Sequence, residues 1–466
     1  MTSMLHVYNT LAGRKEPLPK TGAKLKMFVC GPTVYGDLHI GNGRTFMNQD
    51  LIVRYMRSRG YKIFYLQNIT DVDDKIIVRA NEEGVPWKEV ARSYEKIYRQ
   101  NLKTLGIVSI DAHARATDHI QEIIRQVQTL IKKGHAYLIP EDGWYFDLAT
   151  FPEYGKLSRR TTAQAEDGVT RIDDSDRKRN RGDFCLWKLA DPSAKGEPVW
   201  KTPLGAGRPG WHIEDTAITE HYFGPQYDIH GGGIDLKFPH HEAEIAQQES
   251  ASGKKPFVRF WMHSGFILMD GKKMSKSLGN FMTINDMLAR HAPDTFRMMA
   301  FGAHYRSPLD YTDSVAQAAA KNIAEMRAFL VRLLFAAKRG KGSGSVRLVE
   351  FENRFHAAME DDFNTPEALA AIFDLMREAN KAIWDLSAQD ARAVYKWLRS
   401  ILKMLGFQQI DLKIPRQAAK IARKREISRA NKQFAQSDAL RKEAEALGYS
   451  IEDTPLGPLV LPRSGD

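Results

Sequence analysis

Cysteine is nearly absent from this chain. Two in 466 residues, Cys30 and Cys185, cannot build a disulfide framework, which points to a reducing compartment and makes any thiol found in a site individually informative. Long apolar runs are missing as well: no stretch approaches the roughly eighteen residues of a membrane span. The opening "MTSMLHVYNTLAGRKEPLPK" has no apolar centre of the kind a signal peptide needs, and no internal repeat is found. A soluble, cytoplasmic protein with no membrane partner is therefore expected. An apolar content of 43% over this length allows two to four domains, each with its own core.

What the chain has in excess is positive charge, and it is unevenly placed. The net charge is +11, and between Lys413 and Lys442 ten basic residues face two acidic ones. Such clustering suits a polyanion, most simply nucleic acid, whereas a lysine-rich solvated helix face is the bland alternative.

Periodicity divides the chain. Residues 25–83 read as strand, glycine-bearing turn, helix over "RTFMNQDLIVRYMRSRG", strand and helix, the alternation of a parallel sheet with crossover helices. Residues 86–134 read as helical, and 135–210 as a polar, turn-rich insertion. Alternation resumes at "YDIHGGGIDLKFPHHEAEIAQ", and from about 282 onward the pattern is helical. The run "KRGKGSGS", 338–345, predicts a hinge or disordered loop between helical pieces.

Three short stretches carry chemistry. In "FPHHEAEIA" a helix would place His240 and Glu244 on one face, with His241 and Glu242 turned elsewhere; the pair suits a surface contact, an acid/base couple or half of a metal site. "HIGN", His39 to Asn42, stands between a strand and a helix, where free amides, an imidazole and an amide side chain can meet a phosphate while Gly41 allows close backbone approach. "KMSKS", Lys273 to Ser277, is bracketed by Gly271 and Gly279 and reads as a mobile loop whose Lys273 and Lys276 can close on a polyphosphate.

An HIGH-like turn followed by KMSKS resembles the signature of class I aminoacyl-tRNA synthetases. "FVCGPTVYGDLHIGN", "NITDVDDKI", "GRPGWHIE", "DIHGGGIDLKFPHHEAEIAQ" and "DDFNTPEALA" resemble the cysteinyl-tRNA synthetases in particular, and the likeness runs through "ALGYSIEDTPLG". The resemblance implies an α/β fold: a Rossmann-like parallel-sheet catalytic domain over 1–281 with an insertion at about 100–210. Residues 282–345 would form a stem-contact helical region and linker, 346–408 a helical-bundle anticodon-binding domain, and 409–466 a small basic α+β tail that binds tRNA. It implies activation of L-cysteine with ATP and Mg2+, transfer to tRNA(Cys), and a monomer. His39, Gly41, Asn42, Gly231, Gly232 and Lys276 would hold ATP, with His39, Asn42, Lys273 and Lys276 serving catalysis. Cys30, Thr70, Trp211 and His230 would line the amino-acid pocket, and Lys420, Arg423, Lys424, Arg425 and Arg429 would meet tRNA phosphates.

The family's zinc ligands, Cys, Cys, His and Glu, map onto Cys30, Asp215, His240 and Glu244, so one thiolate has become a carboxylate. Charge is conserved by that change while hardness is not, so Zn2+ is expected to be retained with altered affinity. A metal-free site in which Asp215 bonds locally is the competing expectation. Cys185 matches an ordinary apolar position and is expected in the core. Asn42 replaces the last histidine of HIGH and keeps a donor without the cationic option. The insertion is short for a hydrolytic editing domain, which suits selection of cysteine at binding. A cysteine ligase of mycothiol synthesis and an inactive tRNA-binding paralogue are the rival readings.

Overall fold

The computed structural model describes residues 4–160, 175–191, 196–274, 279–412 and 414–463. The chain divides into two compact units, one of residues 2–289 with 305–310, the other of 290–304 with 311–466. In the first, the expected alternation forms a parallel sheet. Its strands are β1 (Lys24–Val29), β2 (Lys62–Ile69), β3 (Ala112–Arg115), β4 (Tyr227–Gly233) and β5 (Val258–Ser264). Their spatial order is β5-β4-β1-β2-β3. Met27 of β1 stands between Ile229 and Tyr65, and the inner strands are buried on both faces, as helix-covered parallel strands must be. The helices of this unit include α1 (Ile40–Ser58), α2 (Trp87–Thr104), α3 (Trp211–Phe223) and α4 (His240–Ser252).

Three sequence expectations change. The stretch 86–134 contains β3, only four residues long, whose Ala112 pairs with Leu66; strand pairing rather than local period makes it extended. The insertion is an antiparallel sheet of Ala136–Ile139, Gly143–Phe146, Phe184–Leu189 and Gly207–Pro209. Its buried Tyr145, Phe146, Phe184, Leu186 and Trp187 are masked in the sequence by the polar run between them. Cys185, fully buried against Tyr137, Ile139 and Tyr145, is the core thiol anticipated. Finally, the glycine-rich segment after the helix Asp313–Arg339 is pinned: Gly344 donates to the Asp385 carbonyl at 2.8 Å, and Ser387 donates to the Gly344 carbonyl at 2.9 Å. A Cβ on Gly342 would stand 1.9 Å from the Asp385 oxygen, so glycine serves close approach there rather than a hinge.

The second unit is helical, as the pattern predicts, and ends in the hairpin Tyr449–Thr454 and Gly457–Pro462. Ala418 and Ala422 of the helix Arg416–Ala430 pack on Val460 of that hairpin.

Candidate active site and metal centre

Strand order reverses between β1 and β4, and the crevice beyond their carboxyl ends is where a doubly wound sheet presents ligands. Cys30 is the first residue past β1, and its amide donates to the Gly231 carbonyl at 3.1 Å. Its buried sulfur lies 3.3 Å from His230 Nε2, 3.2 Å from His241 Nε2 and 3.9 Å from Glu244 Oε1. At the start of α4, His240 Nε2 is 2.9 Å from Glu244 Oε1, the i,i+4 pairing the sequence predicts. Asp215, from the first turns of α3, brings Oδ2 to 3.0 Å from the same nitrogen, while its Oδ1 accepts from Asn68 Nδ2 at 2.5 Å. The Trp211 ring stacks on His240 at 4.4 Å, and Asn68 also reaches the buried Thr70 hydroxyl at 3.4 Å. Cys30, Thr70, Trp211, Asp215, His230, His240 and Glu244, drawn from separated stretches of sequence, thus share one place.

The cluster is almost wholly buried, and burial sets its charges. Burial holds His230, His241 and His212 well below the usual imidazole pKa, so they are neutral. His240 behaves oppositely: burial lowers its pKa, yet the Glu244 and Asp215 carboxylates outweigh that and raise it to about 10. Burial, then Glu244 and Asp215, push the Cys30 thiol well above its usual value. A proton on His240 Nε2 therefore occupies the point on which two carboxylates converge.

Sequence reasoning missed part of the cluster. Helix α4 is buried from His240 to Ala251, so His241 is not turned away: its Nε2 meets Cys30, and its Nδ1 lies 2.9 Å from His263 Nε2. Cys30, His240, His241 and Glu244 all offer ligand atoms within 4.8 Å of one another. His212 Nδ1 stands 2.9 Å from His240 Nδ1, and Glu242 accepts from the Gly155 and Ser158 amides. The doubled histidine in "PHHE" was the available signal. His212 and Asn68 carried none, because their partners lie 28 and 147 residues away.

The HIGN and KMSKS segments stand on the same unit. His39 is the N-cap of α1, and its Nδ1 accepts from the Asn42 amide at 3.3 Å. The helix starts four residues earlier than its periodicity suggests, so Gly41 and Asn42 lie in its first turn. The His39 ring folds over Gly41, where a Cβ would meet Nδ1 at 2.8 Å and would also lie 3.8 Å from Met274. The two signature segments therefore approach each other at Gly41. Lys273 holds its ammonium 5.0 Å from the Phe266 ring, and Lys276 lies outside the described residues. A Cβ on Gly231 would touch Gln49 at 3.0 Å, and one on Gly232 would touch His241 at 2.9 Å, which accounts for both glycines.

The predicted basic residues belong to the helical unit. Lys420, Arg423 and Lys424 are exposed. Arg425 is buried and bidentate with Asp453 at 2.6 and 3.1 Å, and Arg429 pairs with the same carboxylate. Both thus tie their helix to the terminal hairpin.

The family described as the tRNA synthetases class I (C) catalytic domain matches residues 18–321, and a DALR domain matches 354–409. A cysteine–tRNA ligase of Alkalilimnicola ehrlichii is 41% identical over 97% of this chain and 99% of its own length. That of Symbiobacterium thermophilum is 42% identical over 97% and 98%. A crystal structure of Mycobacterium tuberculosis methionyl-tRNA synthetase bound by methionyl-adenylate covers 82% of this chain and 92% of its own, with a TM-score of 0.63 at 15% identity. That last likeness concerns the fold alone. The chain belongs to the cysteine–tRNA ligase family of class I tRNA synthetases.

Proposed function

We propose that this protein is a cysteine–tRNA ligase. The L-cysteine carboxylate attacks the α-phosphorus of Mg2+-bound ATP, the bond to pyrophosphate breaks, and cysteinyl-adenylate forms. A ribose hydroxyl of the 3′-terminal adenosine of tRNA(Cys) then attacks the carbonyl and displaces AMP. The observation that carries this reading is the convergence of one thiol, one imidazole and two carboxylates at the switch point of the sheet, on the same unit as the His39 cap.

That donor set fits a divalent cation. Among the described residues the buried Glu244 Oε2 makes no hydrogen bond, with His230 Nδ1 at 3.4 Å its near neighbour, and the deprotonated set carries three negative charges. His240 Nε2 lies 2.9 and 3.0 Å from its two carboxylate oxygens, against about 3.3 Å between tetrahedral zinc ligands, so small retreats would admit the ion. Cys30, Asp215, His240 and Glu244 would hold Zn2+, with His212 fixing the ring of His240. A bound zinc ion supplies a thiophilic Lewis acid that prefers a substrate sulfhydryl to a hydroxyl. Trp211 and Thr70 shape the wall beside it and exclude water. His39 and Asn42 would donate to the α-phosphate, Gly41 would keep the His39 ring close to the helix start, Gly231 and Gly232 would keep β4 packed on Gln49 and His241 beneath the nucleotide, and Lys273 with Lys276 would neutralise the departing pyrophosphate. In the helical unit, the exposed Lys420, Arg423 and Lys424 offer phosphate contacts, which favours RNA over a sugar as acceptor.

Purified protein should exchange labelled pyrophosphate into ATP when given cysteine, at least about a hundredfold better than when given serine, and should charge tRNA(Cys). Exchange without preference for the sulfhydryl amino acid would refute the assignment.

A further inference from the structure

Helix α2 shows a charge pattern that the proposed chemistry does not use. Lys88, Arg92, Lys96, Arg99 and Lys103 recur at spacings of four, four, three and four, so they form one ridge along the helix. The ridge is about 22 Å long at about 1.5 Å per residue. Glu95, the carboxylate that lies beside it, is buried and saturated by Arg99 and Arg115. The helix Phe434–Ala446, by contrast, mixes its signs with Asp438, Arg441, Lys442, Glu443 and Glu445. Among the described residues, no hydrogen bond or ion pair occupies the Arg92, Lys96 or Lys103 side chain.

The ridge ends at a recess. A groove of 470 Å³ along Arg92, Lys96, Arg99 and Lys103 shares Arg92, Glu95 and Arg115 with a pocket of 420 Å³ walled by Trp87 and Trp200. The two indoles meet edge to face at 6.2 Å, both only half-buried, with the Lys88 ammonium 5.5 Å from the Trp87 ring. The acids of this pocket are already engaged: Asp71 accepts from the Thr117 amide and hydroxyl, Asp118 pairs with Arg115 and Glu95 with both arginines. Asp71 also sets the location. It lies three residues beyond Asn68, which bonds Asp215, so the recess opens at the same carboxyl edge of the sheet as the thiol-carboxylate cluster. Cations along a line ending in half-buried indoles that wall a recess suit a strand whose phosphates are tracked and whose terminal bases are unpaired.

We propose that α2 is a phosphate track for the arm of the substrate RNA that ends in unpaired nucleotides, and that the Trp87–Trp200 recess stacks one of those bases. This rests on the reading of the protein as a tRNA ligase and adds a second RNA surface, on the catalytic unit. It also gives the unpaired end a physical route to the cluster.

The test uses the full chain and a tRNA(Cys) transcript, with and without its unpaired 3′ end, binding being followed by anisotropy across a salt series. Replacing Lys88, Arg92 and Lys96 together by glutamine should weaken binding of both transcripts about tenfold near 0.1 M salt and lower the log–log salt slope by about two to three. Trp87→Leu should weaken only the intact transcript, with an unfolding midpoint matching the parent. An unchanged slope in the triple variant overturns the track. Equal weakening of both transcripts by Trp87→Leu overturns the stacking. If the unaltered protein shows no cysteine-dependent pyrophosphate exchange, the ligase reading itself falls, whereas exchange accompanied by unaltered RNA binding in the variants removes the track alone.

Discussion

At the scale of single residues, Asp215 is, with Asn42, one of two positions at which the resemblance implies a departure from the family's pattern. A thiolate replaced by a carboxylate keeps the charge of the donor set but trades a soft donor for a hard one, and it places both carboxylate oxygens in definite work. One accepts from Asn68 and the other faces His240. Asp215→Ala should therefore lower bound zinc far below one per chain after dialysis. His241→Gln, which alters the neighbouring imidazole without removing a proposed ligand, should leave it near one; the reverse outcome would make His241 the fourth ligand. Asp215→Cys should bind more tightly than the parent, since it restores a second thiolate. Proton linkage gives a second readout. Burial raises the pKa of Cys30 and the neighbouring carboxylates raise that of His240, and both groups must lose a proton to coordinate an ion. Zinc uptake should thus release protons at neutral pH. Apparent affinity should climb as pH rises toward the His240 value of about 10, measurable by titration in two buffers of different ionisation enthalpy.

At the scale of elements, Arg44 is the side chain that joins α1 to the strands leading into the KMSKS segment. Its guanidinium is wholly buried and donates to the carbonyls of Gly265, Phe266 and Ser307 at 2.9, 2.9 and 2.7 Å. Burial lowers its pKa to about 10, and the planar fork satisfies three backbone acceptors at once. Arg44→Met should destabilise the catalytic unit by about 3 kcal/mol, seen as a lower denaturation midpoint, because it strands those carbonyls. Arg44→Lys should recover little of the loss, since one ammonium cannot serve three divergent oxygens, and an unshifted midpoint in either variant would remove Arg44 from this role. The same scale shows what the sequence could and could not disclose. Strong periods and terminal glycines made β1, α1, β2 and β4 readable, and the FPHHE spacing made the His240–Glu244 pair readable. Strand β3 and the insertion sheet were not, because a four-residue strand exists only through its partner and because the insertion's aromatic residues are diluted by a polar run. His241 was misplaced for a related reason: one face per helix is a rule for helices with a wet side, and α4 has none.

At the scale of the molecule, charge and position have to be weighed together. The chain carries +11, and the densest cluster, residues 413–442, looked from sequence like one continuous phosphate-binding stretch. Folding sorts that cluster into two kinds. Lys420, Arg423 and Lys424 stay exposed, whereas Arg425 is spent inside, gripping Asp453 with both terminal nitrogens. Because counterion release scales with the number of phosphates neutralised, the two kinds should separate in a salt series. Replacing Lys420, Arg423 and Lys424 by glutamine should lower the slope of log KM for tRNA against log salt by about two to three. Arg425→Gln should leave that slope unchanged, and instead loosen the terminal hairpin so that proteolysis between 449 and 462 quickens. The KM for cysteine, a zwitterion whose proposed pocket is buried, should hardly respond to the same salt series. If Arg425→Gln flattens the slope as strongly as a substitution at an exposed lysine, its guanidinium reaches RNA despite its burial, and the hairpin contact is not its principal task.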